Sequence, residues 1–254
     1  MSILHVQHPA STLGSSSTTV QSGAFASNPT VGNRIVVTLS TFEAASTGFT
    51  FSDTAGNTYI VDSTFEQTSI AGNFERVTVA SAPVTATGAS FKVTATVAVG
   101  GTAFDALLTA TEFSGIATSS YLDVTPVTAG VGNSTTSITA GPTAAMNQAG
   151  NLLIAAMAAE SSLTSNSVTN PASITGPTLS TASTSLGVSQ DFSTIEGGQH
   201  SYAIASNTSA ASANWTYTND ASNYTQYVAA LVVYKPAGAA AAVPPELMLL
   251  GVGN

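Results

Sequence analysis

Short β-branched runs, separated by turns rich in Gly, Pro, Asn and Ser, recur along most of the chain. Thr and Val are abundant, and β-branched side chains favour pleated sheet because their χ1 angle is restricted in a helix. Strands this close together leave no room for the helices that join parallel strands. The pattern predicts an all-β fold, a jelly-roll-like antiparallel β-sandwich. The clearest strands of the first part are predicted at 34–40, 47–52, 58–62, 74–81, 90–99 and 106–113.

The second part of the chain repeats the first, which predicts a sandwich built from two related halves. The three aligned pairs are Val31–Val37 with Ala149–Ala155, Phe74–Ala80 with Gln199–Ala205, and Ala106–Phe113 with Val228–Tyr234. Their offsets are 118, 125 and about 121 residues. The Ala- and Leu-rich segment Leu152–Glu160 would suit either a short helix or a buried strand, and the repeat favours the strand.

The repeat and the composition divide the chain into five segments. The predicted segments are an N-terminal arm (1–20), a first β-sandwich half (21–124), a Gly/Thr/Ser-rich linker (125–142), a second half (143–238) and a flexible C-terminal docking tail (239–254).

Few side chains are charged, and the negative net charge excludes some classes of function. The chain has 4 Lys or Arg against 13 Asp or Glu, a net charge of −9, and no Cys. A nucleic-acid-binding surface needs many cations to neutralise phosphates, so no nucleic-acid partner is expected. Disulfides and Cys-ligated metals are excluded.

The N-terminus does not resemble a secretory signal, because the first basic side chain is Arg34 and no early apolar run reaches the usual length. No stretch approaches the roughly 18 apolar residues of a membrane-spanning helix. We therefore expect no ordinary export signal and no membrane partner.

Candidate catalytic residues are few. The three histidines are His5, His8 and His200, and no Glu lies within the H-x-x-H pair as in zinc proteases. His200 is predicted at the surface or on an edge strand. Glu112 lies among apolar residues in a predicted strand, and we expect it to be hydrogen-bonded structure rather than a catalyst. Asp53–Asn57 fits a tight turn better than a Ca²⁺ loop. We predict no enzyme activity, no cofactor and no metal site.

Two other features suggest binding. Trp215 and Tyr217 lie two residues apart on a predicted strand and so share a face. That face either fills the core, which we favour, or stacks on sugar rings.

The second feature is the apolar C-terminal tail, which a soluble monomer would rarely leave in water. Its predicted assembly residues are Pro244, Pro245, Leu247, Met248, Leu249 and Leu250. The tail either folds back on its own sandwich or docks on a neighbouring subunit.

Turn-and-strand motifs spread over roughly residues 20–236 resemble a loosely defined β-sandwich family of bacterial surface proteins and phage virion structural proteins. The motifs are Ala26–Val37, Ser52–Tyr59 (SDTAGNTY), Glu112–Gly115, Gly150–Ile154 and Leu231–Pro236. The resemblance implies a secreted or particle-borne structural or binding module, and it supplies no catalytic residues.

Together with the missing export signal, the resemblance suggests a non-enzymatic phage virion component: a capsid decoration, head-fibre or tail protein. Its partners would be further copies of itself and other virion proteins. The alternative is a carbohydrate-binding or adhesive module of a bacterial surface protein, which would be extracellular and would bind host-surface glycans.

Overall fold

The computed structural model describes residues 2–43, 48–68, 74–98, 104–131, 137–161, 167–189, 196–218 and 225–238. Within these ranges the ordered elements are all strands, which confirms the all-β prediction. The strands are β1 (Leu4–Gln7), β2 (Thr12–Ser17), β3 (Thr19–Gln21), β4 (Arg34–Glu43), β5 (Phe49–Asp53), β6 (Ile60–Thr68), β7 (Phe74–Pro83), β8 (Val93–Val97), β9 (Phe104–Ser114), β10 (Val127–Val131), β11 (Ser137–Ala140), β12 (Leu152–Ser161), β13 (Ser167–Val168), β14 (Ser173–Thr175), β15 (Leu179–Ser189), β16 (Glu196–Ala205), β17 (Ser212–Thr218) and β18 (Thr225–Tyr234).

Strands β1–β9 form the first half and β10–β18 the second, and both halves share one strand order. The large sheet of the first half runs β1-β9-β4-β7-β6, with β2 also on β9, and its small sheet runs β3-β8-β5. In the second half the large sheet runs β10-β18-β12-β16-β15, and β11, β13 and β14 pair with β17. A jelly roll would divide its strands more evenly between two sheets, so the jelly-roll assignment stays a prediction.

Matching turns show the register of the repeat. Gly32 donates its N–H to Val84 O, and Val84 donates back to Asn33 O. Gly150, Asn151 and Ala205 make the same two bonds in the second half. Val84 therefore corresponds to Ala205, an offset of 121 residues.

The predicted offset of 125 for this strand is therefore wrong by four residues. An even shift leaves the inward–outward alternation of a strand intact, so the pattern alone could not detect the error.

The two large sheets pack face to face, and we call the interface between them the seam. On β4, Val36 faces the seam, whereas Ile35, Val37 and Leu39 face the small sheet of the first half. On β12, Leu152 and Ile154 likewise face the seam. Both faces of the central strands are thus buried, which explains their continuous apolar sequences. The segment Leu152–Glu160 is a strand, as the repeat predicted.

Two of the predicted segments, the linker and the N-terminal arm, need correction. The segment 125–142, predicted as a linker, contains β10, which pairs with β18, and β11, which pairs with β17. The predicted N-terminal arm, 1–20, contains β1 and β2, which both pair with β9. Gly-, Ser- and Thr-rich sequences resemble linkers, yet β9, β17 and β18 supply the backbone partners that order these segments.

The turn at Asp53–Asn57 has the predicted form. The Asp53 carboxylate accepts bonds from the N–H groups of Ala55 and Asn57, from Asn57 Nδ2 and from the Tyr59 hydroxyl. Asn57 Oδ1 in turn accepts the N–H groups of Thr85 and Ala86. The SDTAGNTY motif therefore ties β5 to the loop after β7.

Candidate functional site

The last described residues of the chain lie beside its first described residues. The predicted assembly residues Pro244, Pro245, Leu247, Met248, Leu249 and Leu250 lie outside the described residues. The last described segment is held by Ala237, which donates its N–H to Gly115 O at 2.7 Å. Ser2 also packs against Gly115, because a Cβ added to Gly115 would clash with Ser2 O. Ala237, two residues before the tail, therefore lies next to the start of β1.

An exposed apolar edge starts at this point. We call residues 4–17, which comprise β1, β2 and the residues between them, the β1–β2 edge. Both strands pair with the side of β9 that faces away from β4. Leu4 is 60% exposed, Leu13 57% and Val6 43%. Natural edge strands are usually protected by Lys or other charges, but no charged residue precedes Arg34.

A cavity of about 160 Å³ lies in the seam, also next to β2. Asp105, Phe42 and Glu75 stand in one row across β9, β4 and β7 and line the cavity from the first half. Gly197 and Gly198 line it from the second half. The Asp105 carboxylate accepts the N–H of Ser16 at 2.7 Å, so part of this lining also holds β2 in place.

His200 lies in the seam with no exposed surface, so the prediction of a surface or edge position is wrong. Its Nε2 lies 2.8 Å from Ser40 Oγ, and its Nδ1 lies 3.1 Å from Thr109 Oγ1. Burial lowers the pKa of His200 to about 3, so the ring is neutral near pH 7.

The Ser40–His200 pair does not have the proton arrangement of a catalytic dyad. The single hydroxyl proton of Ser40 is donated to Met157 O at 2.8 Å. His200 Nε2 therefore donates to Ser40 rather than accepting its proton, the reverse of what a general base requires. Thr109 also contacts Thr38, so the pair belongs to a buried hydroxyl network that joins the two halves.

Glu112 is fully buried and fastens the loop before β4. Its Oε1 accepts the N–H of Thr30 at 2.8 Å and Asn33 Nδ2 at 2.5 Å, and its Oε2 accepts Gln7 Nε2 at 2.7 Å. These bonds agree with the expectation of hydrogen-bonded structure at Glu112.

Asp123 does the same in the second half, where its Oδ2 accepts Asn151 Nδ2 and the N–H of Asn147. The repeat thus retains a carboxylate–Asn latch, although the carboxylates come from different places in the two halves.

His5 and His8 face each other on the extended N-terminal segment, with His5 Nε2 2.8 Å from His8 Nδ1. His5 stacks on Tyr202 at a centroid distance of 5.3 Å. Burial, with a contribution from His8, lowers the pKa of His5. Within the described ranges no three His, Cys, Asp or Glu side chains gather as metal ligands would.

Trp215 fills the core of the second half and is 1% exposed. Its Nε1 donates to Gln199 Oε1 at 2.6 Å. A sugar cannot stack on this ring, so the glycan-stacking role considered for Trp215 needs correction, and the favoured core interpretation agrees with its burial. Tyr217 lies on β17, but its side chain is outside the described part.

The sequence pattern predicted a role for the tail but none for the β1–β2 edge. The signal was available: an uncharged stretch of more than 30 residues with alternating apolar side chains. The buried network of Ser40, Thr109 and His200 had no such signal, because the three residues are far apart in sequence.

No protein family, curated protein or solved structure matches the chain. Among the described residues, no helix is long and apolar enough to cross a membrane.

Proposed function

We propose that the chain is a non-enzymatic structural protein of a phage virion: a capsid decoration, head-fibre or tail component. It assembles with further copies of itself, and with other virion proteins, through faces of its β-sandwich and through its C-terminal tail. The observation that carries the proposal is the uncharged, exposed β1–β2 edge beside the start of an apolar tail.

The use of the charged side chains also supports a structural role. Asp53, Glu112 and Asp123 each accept several hydrogen bonds that fix a loop. Arg34 is buried, donates to Ser81 Oγ and lies over the Tyr121 ring. Several of the few charges thus stabilise the fold, in keeping with a long-lived component of a particle.

The virion assignment also depends on the motif resemblance over residues 20–236. The adhesive alternative loses its most prominent aromatic residue, because Trp215 is buried. No other described aromatic cluster favours that alternative specifically.

Light scattering of the full chain beside a 1–238 truncation tests the proposal. The truncation keeps the eighteen strands and the hydrophobic clusters of the described residues, so it should fold, and circular dichroism checks this. We expect the full chain to be an oligomer and the truncation a monomer. A full chain that stays monomeric across a wide concentration range would contradict the proposal.

A further inference from the structure

We infer that the tail of one copy, residues 239–254, binds the β1–β2 edge of a second copy by adding a strand beside β1 and β2. This inference rests on the proposed function, because it names the acceptor surface for the tail. The mode is β-strand addition, in which backbone bonds give affinity and side-chain contacts give specificity.

The edge is a suitable acceptor. Among the described strands, β1 ends the large sheet of the first half, so one side of its backbone is open to another strand. Leu4, Val6 and Leu13 present apolar side chains that an added strand would cover. Together β1 and β2 pair with β9 from Ser114 to Phe104. This stretch of β9 is about 37 Å long at about 3.4 Å per residue.

The tail matches this edge in length and chemistry. Sixteen residues span at most about 55 Å when extended, enough for the whole edge after a short connection. The apolar run Leu247–Leu250, about 14 Å long as a strand, would cover one part of the edge, such as Leu4 and Val6 on β1. Pro244 and Pro245 cannot donate to a neighbouring strand, so they suit the connection or the outer side of the added strand. Glu246 is the one charge in the tail, and the edge has none to repel it.

The residues before the tail lie beside the edge of their own molecule, so two copies can exchange tails across a short distance. Ala237 and Ser2 contact the same residue, Gly115, so donor and acceptor lie side by side on each molecule. A two-fold axis near Gly115 would bring each tail onto the other copy's edge, so one contact forms twice and the assembly closes. Both edges would then be protected by exchange of tails.

Charge substitutions in the full-length protein test the acceptor. The double variant Leu4→Lys/Leu13→Lys places two ammonium groups on the edge, and sedimentation equilibrium reports the dissociation constant of the assembly. We expect at least tenfold weaker association. Val31→Lys is the matched control, because Val31 is equally exposed at 60% but lies outside the edge. Ile60→Lys probes the opposite edge strand, β6.

A second variant, Leu247→Asp/Leu249→Asp, tests the donor and should weaken association to a similar degree. If the tail variant is monomeric while the edge variant assembles normally, the tail binds elsewhere; the acceptor assignment then fails, whereas tail-dependent assembly stands. Weakening by Ile60→Lys alone overturns the assignment in favour of β6.

If the unmodified chain is a monomer whose β1 and β2 amides lose hydrogen-exchange protection in the tail variant, the tail covers its own edge. That result overturns both the exchange between copies and the proposed assembly.

Discussion

His200 is an imidazole that remains neutral because burial disfavours its charged form, and its ring partners are the hydroxyls of Ser40 and Thr109. Its pKa of about 3 in the folded protein lies below the usual value of 6.5 in the unfolded chain. Between those values the unfolded chain binds a proton that the folded protein does not. Stability must therefore fall as the pH decreases through this window and be unaffected by His200 above it.

This difference gives a pH prediction. From pH 6.5 to pH 4.5, His200 should cost the native protein about 2 kcal/mol of unfolding free energy, with a slope that approaches about 1.4 kcal/mol per pH unit at the acidic end. Urea unfolding of the unmodified protein and of His200→Gln at both pH values isolates this contribution, because all other titrating groups cancel in the comparison. A difference between the two proteins that does not change with pH would show that His200 is solvated.

The hydrogen bonds of Glu112 give a second prediction for a single side chain. All three of its partners are donors, and Gln7 cannot turn its amide round because Gln7 Oε1 already accepts the N–H of Ser27. Glu112→Gln would place an NH₂ group against a donor and should destabilise the fold by about 1–3 kcal/mol.

Asp105→Asn is the control for Glu112→Gln, because an amide oxygen still accepts the N–H of Ser16. We expect this control to change the free energy of unfolding by less than about 0.5 kcal/mol. Equal losses in the two variants, measured by urea denaturation, would contradict the latch.

At the scale of elements, β15 approaches the first half closely because it has a glycine at the contact. A Cβ at Gly187 would lie 2.7 Å from both Ser11 Cβ and Thr109 Cγ2. Gly187→Ala should therefore push β15 away from β9 and cost about 1–3 kcal/mol, the usual range for overpacking.

Gly88→Ala is the matched control, because open space surrounds that position. The control should be neutral or slightly stabilising, since alanine restricts the unfolded chain. Thermal unfolding of both variants measures the contrast. Similar melting temperatures for the two would mean that β15 is loosely packed at Gly187.

On the scale of the whole molecule, the seam joins the halves by both apolar and polar contacts. Val36 and Phe113 of the first half share a cluster with Ile154 and Tyr234 of the second. The Asp62 carboxylate accepts the hydroxyls of Tyr121 at 2.7 Å and Tyr234 at 2.5 Å. Neither half can expose its side of the seam to water without losing the hydrophobic cluster that the two halves share.

We therefore expect one cooperative unfolding transition. Trp215 is the single tryptophan and lies in the core of the second half, so its fluorescence reports on that half, whereas far-UV circular dichroism reports on the strands of both. The two denaturation curves should coincide. A fluorescence transition that separates from the circular dichroism transition would show that the halves unfold independently.

Local patterns were sufficient to predict the central strands of each half, the Asp53–Asn57 turn and the internal repeat. Branched side chains, Asx–Gly turns and alternation act over a few residues and can be recognised without the fold. The same patterns could not give the register of β16, because a four-residue shift preserves alternation, or the order in 125–142, because pairing with β17 and β18 creates it.

Long-range packing decided the remaining features. His200 resembles a surface residue in sequence, and only the stacking of two large sheets removes it from water. The exposure of Leu4 and Leu13 similarly follows from the position of β1 and β2 at the end of a sheet, which is a property of strand order. The amino-acid pattern determines which segments become strands, but which faces and edges meet depends on contacts between residues about 90 to 160 positions apart.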